Sequence, residues 1–163
     1  MYVYTSYFDM DKPQLPSLPC LCATLRRGGR ALTQTYQEEM RSLGITSPQL
    51  TVLQVLDRAG EVSQGTLGAI LAMDSTTLTR TLKIMARNGW FAERRGEDRR
   101  ERRLRLSRAG EAQLQRTLPA WEKAQSRIRR HLGNAAWEQL LTLANRVTEF
   151  TSTQPSSHQG DSL

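Results

Sequence analysis

The stretch from Ser63 to Ser107 constrains this chain more than any other. It reads as a short helix from a Ser63 cap, a second helix from Met73-Asp74-Ser75 to Arg87, and two strand-like runs around a charged turn. In the second helix Leu78, Leu82, Met85 and Ala86 recur at helical spacing, which predicts a buried face. Ser75, Thr76, Thr79, Arg80, Lys83 and Arg87 fall opposite them. Short hydroxyls and long cations on a free helix face suit the floor of a DNA major groove. Helix capping on a merely solvated face is the plainer alternative for Ser75 to Thr79. Asn88-Gly89 then stops the helix, since both residues tolerate the left-handed backbone.

Beyond that stop, Trp90 to Arg95 and Arg103 to Leu106 read as the strands of a hairpin tipped by Gly96-Glu97-Asp98-Arg99-Arg100-Glu101-Arg102. From Arg94 to Arg103 six arginines face three acids, a net of +3. Helix, turn, helix, charged hairpin is the order of a winged helix-turn-helix. Its second helix enters the major groove, and its hairpin lies along the backbone or in the minor groove.

Charge supports a polyanionic partner: 23 basic residues against 16 acidic ones give +7. Arginine dominates the basic set, and its planar fork matches phosphate and guanine edges. A chain of 163 residues is expected to form one domain. No apolar run is long enough to span a membrane, and the first residues lack the basic start of a secretory signal. Two cysteines, Cys20 and Cys22, are too few for a disulfide scaffold and fit a reducing, cytoplasmic setting.

The rest of the chain is helical by pattern. Residues 1–17 read as a flexible arm. Leu18, Cys22, Leu25, Gly29, Leu32, Tyr36, Met40 and Leu43 make one stripe of a long helix starting at Pro19. Ser47 as cap and Pro48 in the first turn open the next helix, with Leu50, Leu53, Val55 and Leu56 inside. Glu61-Val62 adds a short strand beside the hairpin, and Leu67, Ile70 and Leu71 form the core side of the Ser63-capped helix. Ser107 caps a fifth helix that Pro119 should kink, and Gly133-Asn134 separates a sixth ending near Phe150. From Ser152 the composition is that of a disordered tail. The fold class is therefore mainly α with a small β-wing. Residues 45–107 form the winged helix-turn-helix within a single domain of 18–151, and 18–43 with 108–151 supply dimerisation helices. Their apolar surface exceeds what the small head can cover, and an identical subunit is the simplest partner.

These residues together resemble the multiple-antibiotic-resistance regulator (MarR) family over about residues 19–150. The most specific parts are Ser75 to Arg80, and Asp98-Arg99-Arg100 followed by Leu106, Ser107 and Gly110. The resemblance implies a homodimeric transcription factor, usually a repressor, on palindromic double-stranded DNA, released by a small aromatic ligand or an oxidant. It places Ser75, Thr76, Thr77, Thr79 and Arg80 where bases and phosphates are met. Arg100 becomes the minor-groove arginine, oriented by Asp98. Lys83, Arg95, Arg99 and Arg102 complete the candidate DNA contacts.

Cys22 sits as the reactive cysteine does in the organic-hydroperoxide-sensing branch of that family, with Cys20 beside it. There tyrosines bond to the cysteine. Tyr36 matches one such position, while Arg26 and Ser47 replace the others. A helix first turn and the Arg26 charge favour a thiolate, and a small apolar core residue is the other reading of Cys22. No metal-ligand spacing, cofactor motif or catalytic constellation is present, so the chain is not expected to be an enzyme. A nucleoid-type protein binding DNA without sequence preference is the alternative function.

Overall fold

The computed structural model describes residues 20–96 and 101–152. The arm 1–17, the tail from 153, and Asp98, Arg99 and Arg100 lie outside the described residues. In order come α1 (Leu21–Met40), a 3₁₀ turn (Arg41–Leu43), α2 (Ser47–Ala59), β1 (Val62–Ser63) and α3 (Gln64–Leu71). They are followed by α4 (Ser75–Arg87), β2 (Phe91–Arg95), β3 (Arg102–Leu106), α5 (Arg108–Leu132) and α6 (Asn134–Ser152). The mainly helical reading and the wing are both present.

Each boundary has a local cause. Ser63 Oγ accepts from Thr66 N at 3.0 Å, Asp74 Oδ1 from Thr77 N at 2.8 Å, and Ser107 Oγ from Gly110 N at 3.0 Å. These bonds satisfy amides that a helix start leaves unpaired. The cap of α2 is Thr46, not Ser47. Thr46 N donates to Gln49 Oε1 at 2.9 Å, completing a reciprocal box. A Ser47 cap would need that acceptor on the Leu50 side chain, which has no polar group. α1 starts at Leu21, with Cys20 as its extended first flank. α5 runs unbroken through Pro119.

The core lies under the head. Leu50, Val52, Leu53 and Leu56 of α2 meet Leu67 of α3, Leu78, Leu82 and Met85 of α4, Leu104 of β3 and Leu114 of α5. Four expected core positions differ, Leu71 among them as a partly buried residue. Ile70 is 50% exposed because the two-turn α3 turns only one edge inward. Ala86 is exposed at the margin of the α4 stripe, and Val55 is only partly buried. Val52 takes the buried position instead.

The sheet is antiparallel in the order β1-β3-β2, with Val62 opposite Leu104 and Phe91 opposite Leu106. β1 falls one residue later than Glu61-Val62, and β3 starts at Arg102. The hairpin root closes onto α5. Ser107 N donates to Trp90 O at 3.3 Å, and Ser107 Oγ donates to Gly89 O at 2.6 Å.

α1 and α5 lie against each other. Lys123 pairs with Glu39 at 2.7 Å and Arg127 with Glu38 at 3.1 Å. Buried Gln113 donates Nε2 to Leu43 O at 3.0 Å, capping the carbonyl that ends the 3₁₀ turn. Beyond this seam the stripe of α1 is open: Leu21, Cys22 and Leu25 are exposed, and among its residues only Met40 is buried. Along α6, Leu140, Leu141, Leu143, Val147 and Phe150 are exposed as well. No helix among the described residues is long and apolar enough to cross a membrane.

Candidate nucleic-acid interface

Burial of Leu78, Leu82 and Met85 fixes how α4 turns, and with it which side chains face out. Thr76, Arg80, Lys83 and Arg87 are all exposed and follow the spacing of one helical strip. That strip is about 16 Å long at 1.5 Å per residue. Its chemistry changes along its length. A hydroxyl stands at the N-terminal end, where the helix dipole is positive, and three cations follow.

The flanking hydroxyls are not equivalent. Thr77 belongs to the cap: its Oγ1 donates to Asp74 Oδ2 at 2.6 Å, and its N–H donates to Oδ1. That hydroxyl hydrogen bond, joined by the backbone one, holds the Asp74 carboxyl below its ordinary range. Thr79, exposed on the side of α4 nearest α3, accepts from Gln64 Nε2 at 3.3 Å. Ser75 shares with Gln64, Leu78 and Arg102 the lining of an open recess of about 530 Å³ between α3, α4 and β3.

On the wing, the register separates two sets of charges. Arg94 stands directly opposite Arg103 on one face, and Arg95 opposite Arg102 on the other. Two like charges across a strand pair repel. Glu61, just before β1, answers both members of the first pair. It accepts from Arg94 Nε at 2.7 Å and Nη2 at 2.5 Å, and from Arg103 Nε at 2.8 Å. The Arg94 hydrogen bonds first, then that of Arg103, lower its carboxyl to about 2. Arg102 grips Glu93 through Nε at 2.6 Å and Nη2 at 2.5 Å. Among the described residues Arg95 makes no ion pair.

The fold leaves Thr76, Arg80 and Lys83 exposed on one strip of α4, and the sequence did not signal the roles of Glu61, Glu93 and Gln64. The first two answer arginines across the sheet, and the third reaches between helices. No spacing rule within a single element signals such contacts.

Cys20 and Cys22 are both exposed in the single chain, so Cys22 is not part of its core. Arg26 Nη2 lies 3.7 Å from Cys22 Sγ, one turn on. Tyr36 is half-buried, and burial raises its hydroxyl above the ordinary value. Fourteen residues of helix, about 21 Å, separate Tyr36 from Cys22 within one chain. No group of three or more metal-ligating side chains occurs among the described residues.

The family model described as the MarR family matches residues 45–101, from the α1–α2 connection into the wing. The solved structure of the M. tuberculosis transcriptional regulator MosR in complex with DNA superposes with a TM-score of 0.73 at 30% identity. That match covers 81% of this chain and 96% of that one. The chain belongs to the MarR family.

Two Bacillus subtilis relatives fit this placement. An uncharacterized helix-turn-helix-type transcriptional regulator, YwoH, is 31% identical over 53% of this chain and 64% of its own. An organic hydroperoxide resistance transcriptional regulator is 33% identical over 48% of this chain and 53% of its own. The matches thus span less than two thirds of either curated relative.

Proposed function

We propose that this MarR-family chain is a homodimeric, cytoplasmic transcriptional regulator that represses from a palindromic operator. The observation that carries the reading is the exposed α4 strip of Thr76, Arg80, Lys83 and Arg87, set beside an arginine-rich wing. Hydroxyls and guanidinium groups at the start of such a helix read base edges, and the cations hold phosphates. Arg95 and Arg102 on the wing, with Asp98, Arg99 and Arg100 between them in the sequence, extend the contact to the neighbouring backbone and minor groove.

Dimerisation follows from the exposed leucines of α1 and α6, which a second copy would cover. Two heads then meet the duplex about one turn, roughly 10 base pairs, apart. The test is selection of bound sequences from random duplex DNA, followed by titration. A palindrome bound about a thousandfold more tightly than random DNA supports the reading. Equal affinity for all sequences would replace it with the nucleoid-type alternative.

The release signal in this reading is an oxidant acting at Cys22. The thiol is exposed at the start of α1, with Arg26 Nη2 3.7 Å from its sulfur. One relative is named for organic hydroperoxide resistance. Tyr36 would reach a cysteine only in a second copy, since the helix holds it far from its own. Release by a small aromatic compound with no response to hydroperoxide would assign the signal elsewhere.

A further inference from the structure

We infer that Gln64, a residue of α3 rather than of the recognition helix, sets the hydrogen-bonding polarity with which Thr79 meets DNA. The inference rests on the DNA-reading function proposed above and deepens it.

Threonines inside these helices usually turn their hydroxyls onto their own backbone. Thr33, Thr35, Thr51, Thr81 and Thr142 each donate to the carbonyl four residues earlier, at 2.8 to 3.1 Å. Such a hydroxyl has already given up its proton and offers the outside only lone pairs. Thr79 makes no such bond among the described residues. Its Oγ1 instead accepts from Gln64 Nε2 at 3.3 Å. One lone pair is taken, and the proton is left for an acceptor outside. Thr79 is exposed, so that acceptor is within reach of whatever lies against α4.

The orientation of the amide has its own physical reason. Gln64 Oε1 is buried and meets no donor. Turning the amide over would put both N–H donors in that unpartnered place, and two unmet donors cost more than one unmet acceptor. Gln64 lines the recess between α3, α4 and β3 together with Ser75 and Arg102. The pair therefore stands at the edge of the surface assigned to DNA.

A hydroxyl fixed as donor prefers guanine O6 or N7, adenine N7 or thymine O4 over the amino groups of cytosine and adenine. Gln64 is a positioning residue here: it touches Thr79, and Thr79 touches the base.

The experiment measures full-length protein against the selected operator and a panel of operators substituted at each base pair. Thr79→Val should erase the preference at one position per half-site. Gln64→Leu should weaken the preference at that same position about three- to tenfold, the worth of one oriented hydrogen bond. The double variant should lose no more than Thr79→Val alone, because the two act as one unit. Gln64→Glu is the sharper arm. A carboxylate only accepts, so Thr79 must donate inward and present lone pairs, and preference should move to a pair offering an amino group. Melting temperature and affinity for random DNA serve as controls. The inference is overturned if both Gln64 variants lower affinity for every sequence equally while the position keeps its preference. It also falls if no position depends on Thr79. Absence of any preference in the wild type would remove the regulator reading with it, so the two failures are told apart.

Discussion

Glu61 holds Arg94 and Arg103 together, two arginines that the register sets directly opposite each other on β2 and β3. Thirty-three and forty-two residues separate the carboxylate from its partners, so this clamp exists only in the folded sheet. Its carboxyl is lowered from 4.5 to about 2. A depressed carboxyl contributes its stability above the unfolded value and loses it as pH falls toward the folded one. Melting temperatures should therefore decline between about pH 4.5 and 2 in the wild type. Glu61→Gln should be less stable at neutral pH and show a shallower acid decline. An identical pH profile in the variant would show that the clamp adds nothing.

Gly110 decides whether α5 can start beneath the wing. A Cβ there would collide with the Trp90 carbonyl oxygen and lie 2.8 Å from Leu106 Cδ1. The obstruction is backbone, which cannot swing aside. Gly110→Ala should cost about 3 kcal/mol, at the upper end of overpacking effects. Urea denaturation measures it, and a loss under about 0.5 kcal/mol would mean that the root of the wing is loose.

The strip on α4 should separate binding from folding. Arg80→Ala should weaken operator binding while the melting temperature stays within about a degree or two, since exposed substitutions rarely exceed 0.5 kcal/mol. If Arg80 meets a phosphate, the logarithmic salt slope should fall by about one and all sequences should suffer alike. If it meets a base, one operator position should relax. A large drop in melting temperature would assign Arg80 a structural role.

Cys22 carries the effector prediction. Cys22→Ser should bind the operator as the wild type does and remain bound when hydroperoxide is added. Release of the variant at the same peroxide concentration would refute sensing through this thiol. Arg26→Ala should slow the response without abolishing it, because it removes the side chain that contacts the sulfur but not the sulfur itself.

The acidic wing residues test the other arginine pair. Glu93→Gln frees Arg102, whose bidentate partner it removes. Operator affinity should rise by a fewfold at low salt and lose that gain at high salt, where exposed charges are screened. Unchanged affinity would place Arg102 away from the duplex.

Local physics was legible in the residues themselves. The Ser63 and Ser107 caps, the Asn88-Gly89 stop and the buried stripe of Leu78, Leu82 and Met85 all depend on neighbours within about four positions, which the chain writes in order. From them come the winged helix-turn-helix and the outward strip of Thr76, Arg80 and Lys83. What the tertiary structure alone decided are the partners of those side chains. The pairing of β2 with β3 sets Arg94 against Arg103 and brings Glu61 to both, and the packing of α3 on α4 lays Gln64 on Thr79. Cys22 shows the same limit: its position on an apolar stripe was visible, but among the described residues it is exposed. Periodicity states which face is apolar; only the folded arrangement of the other elements states what lies against it.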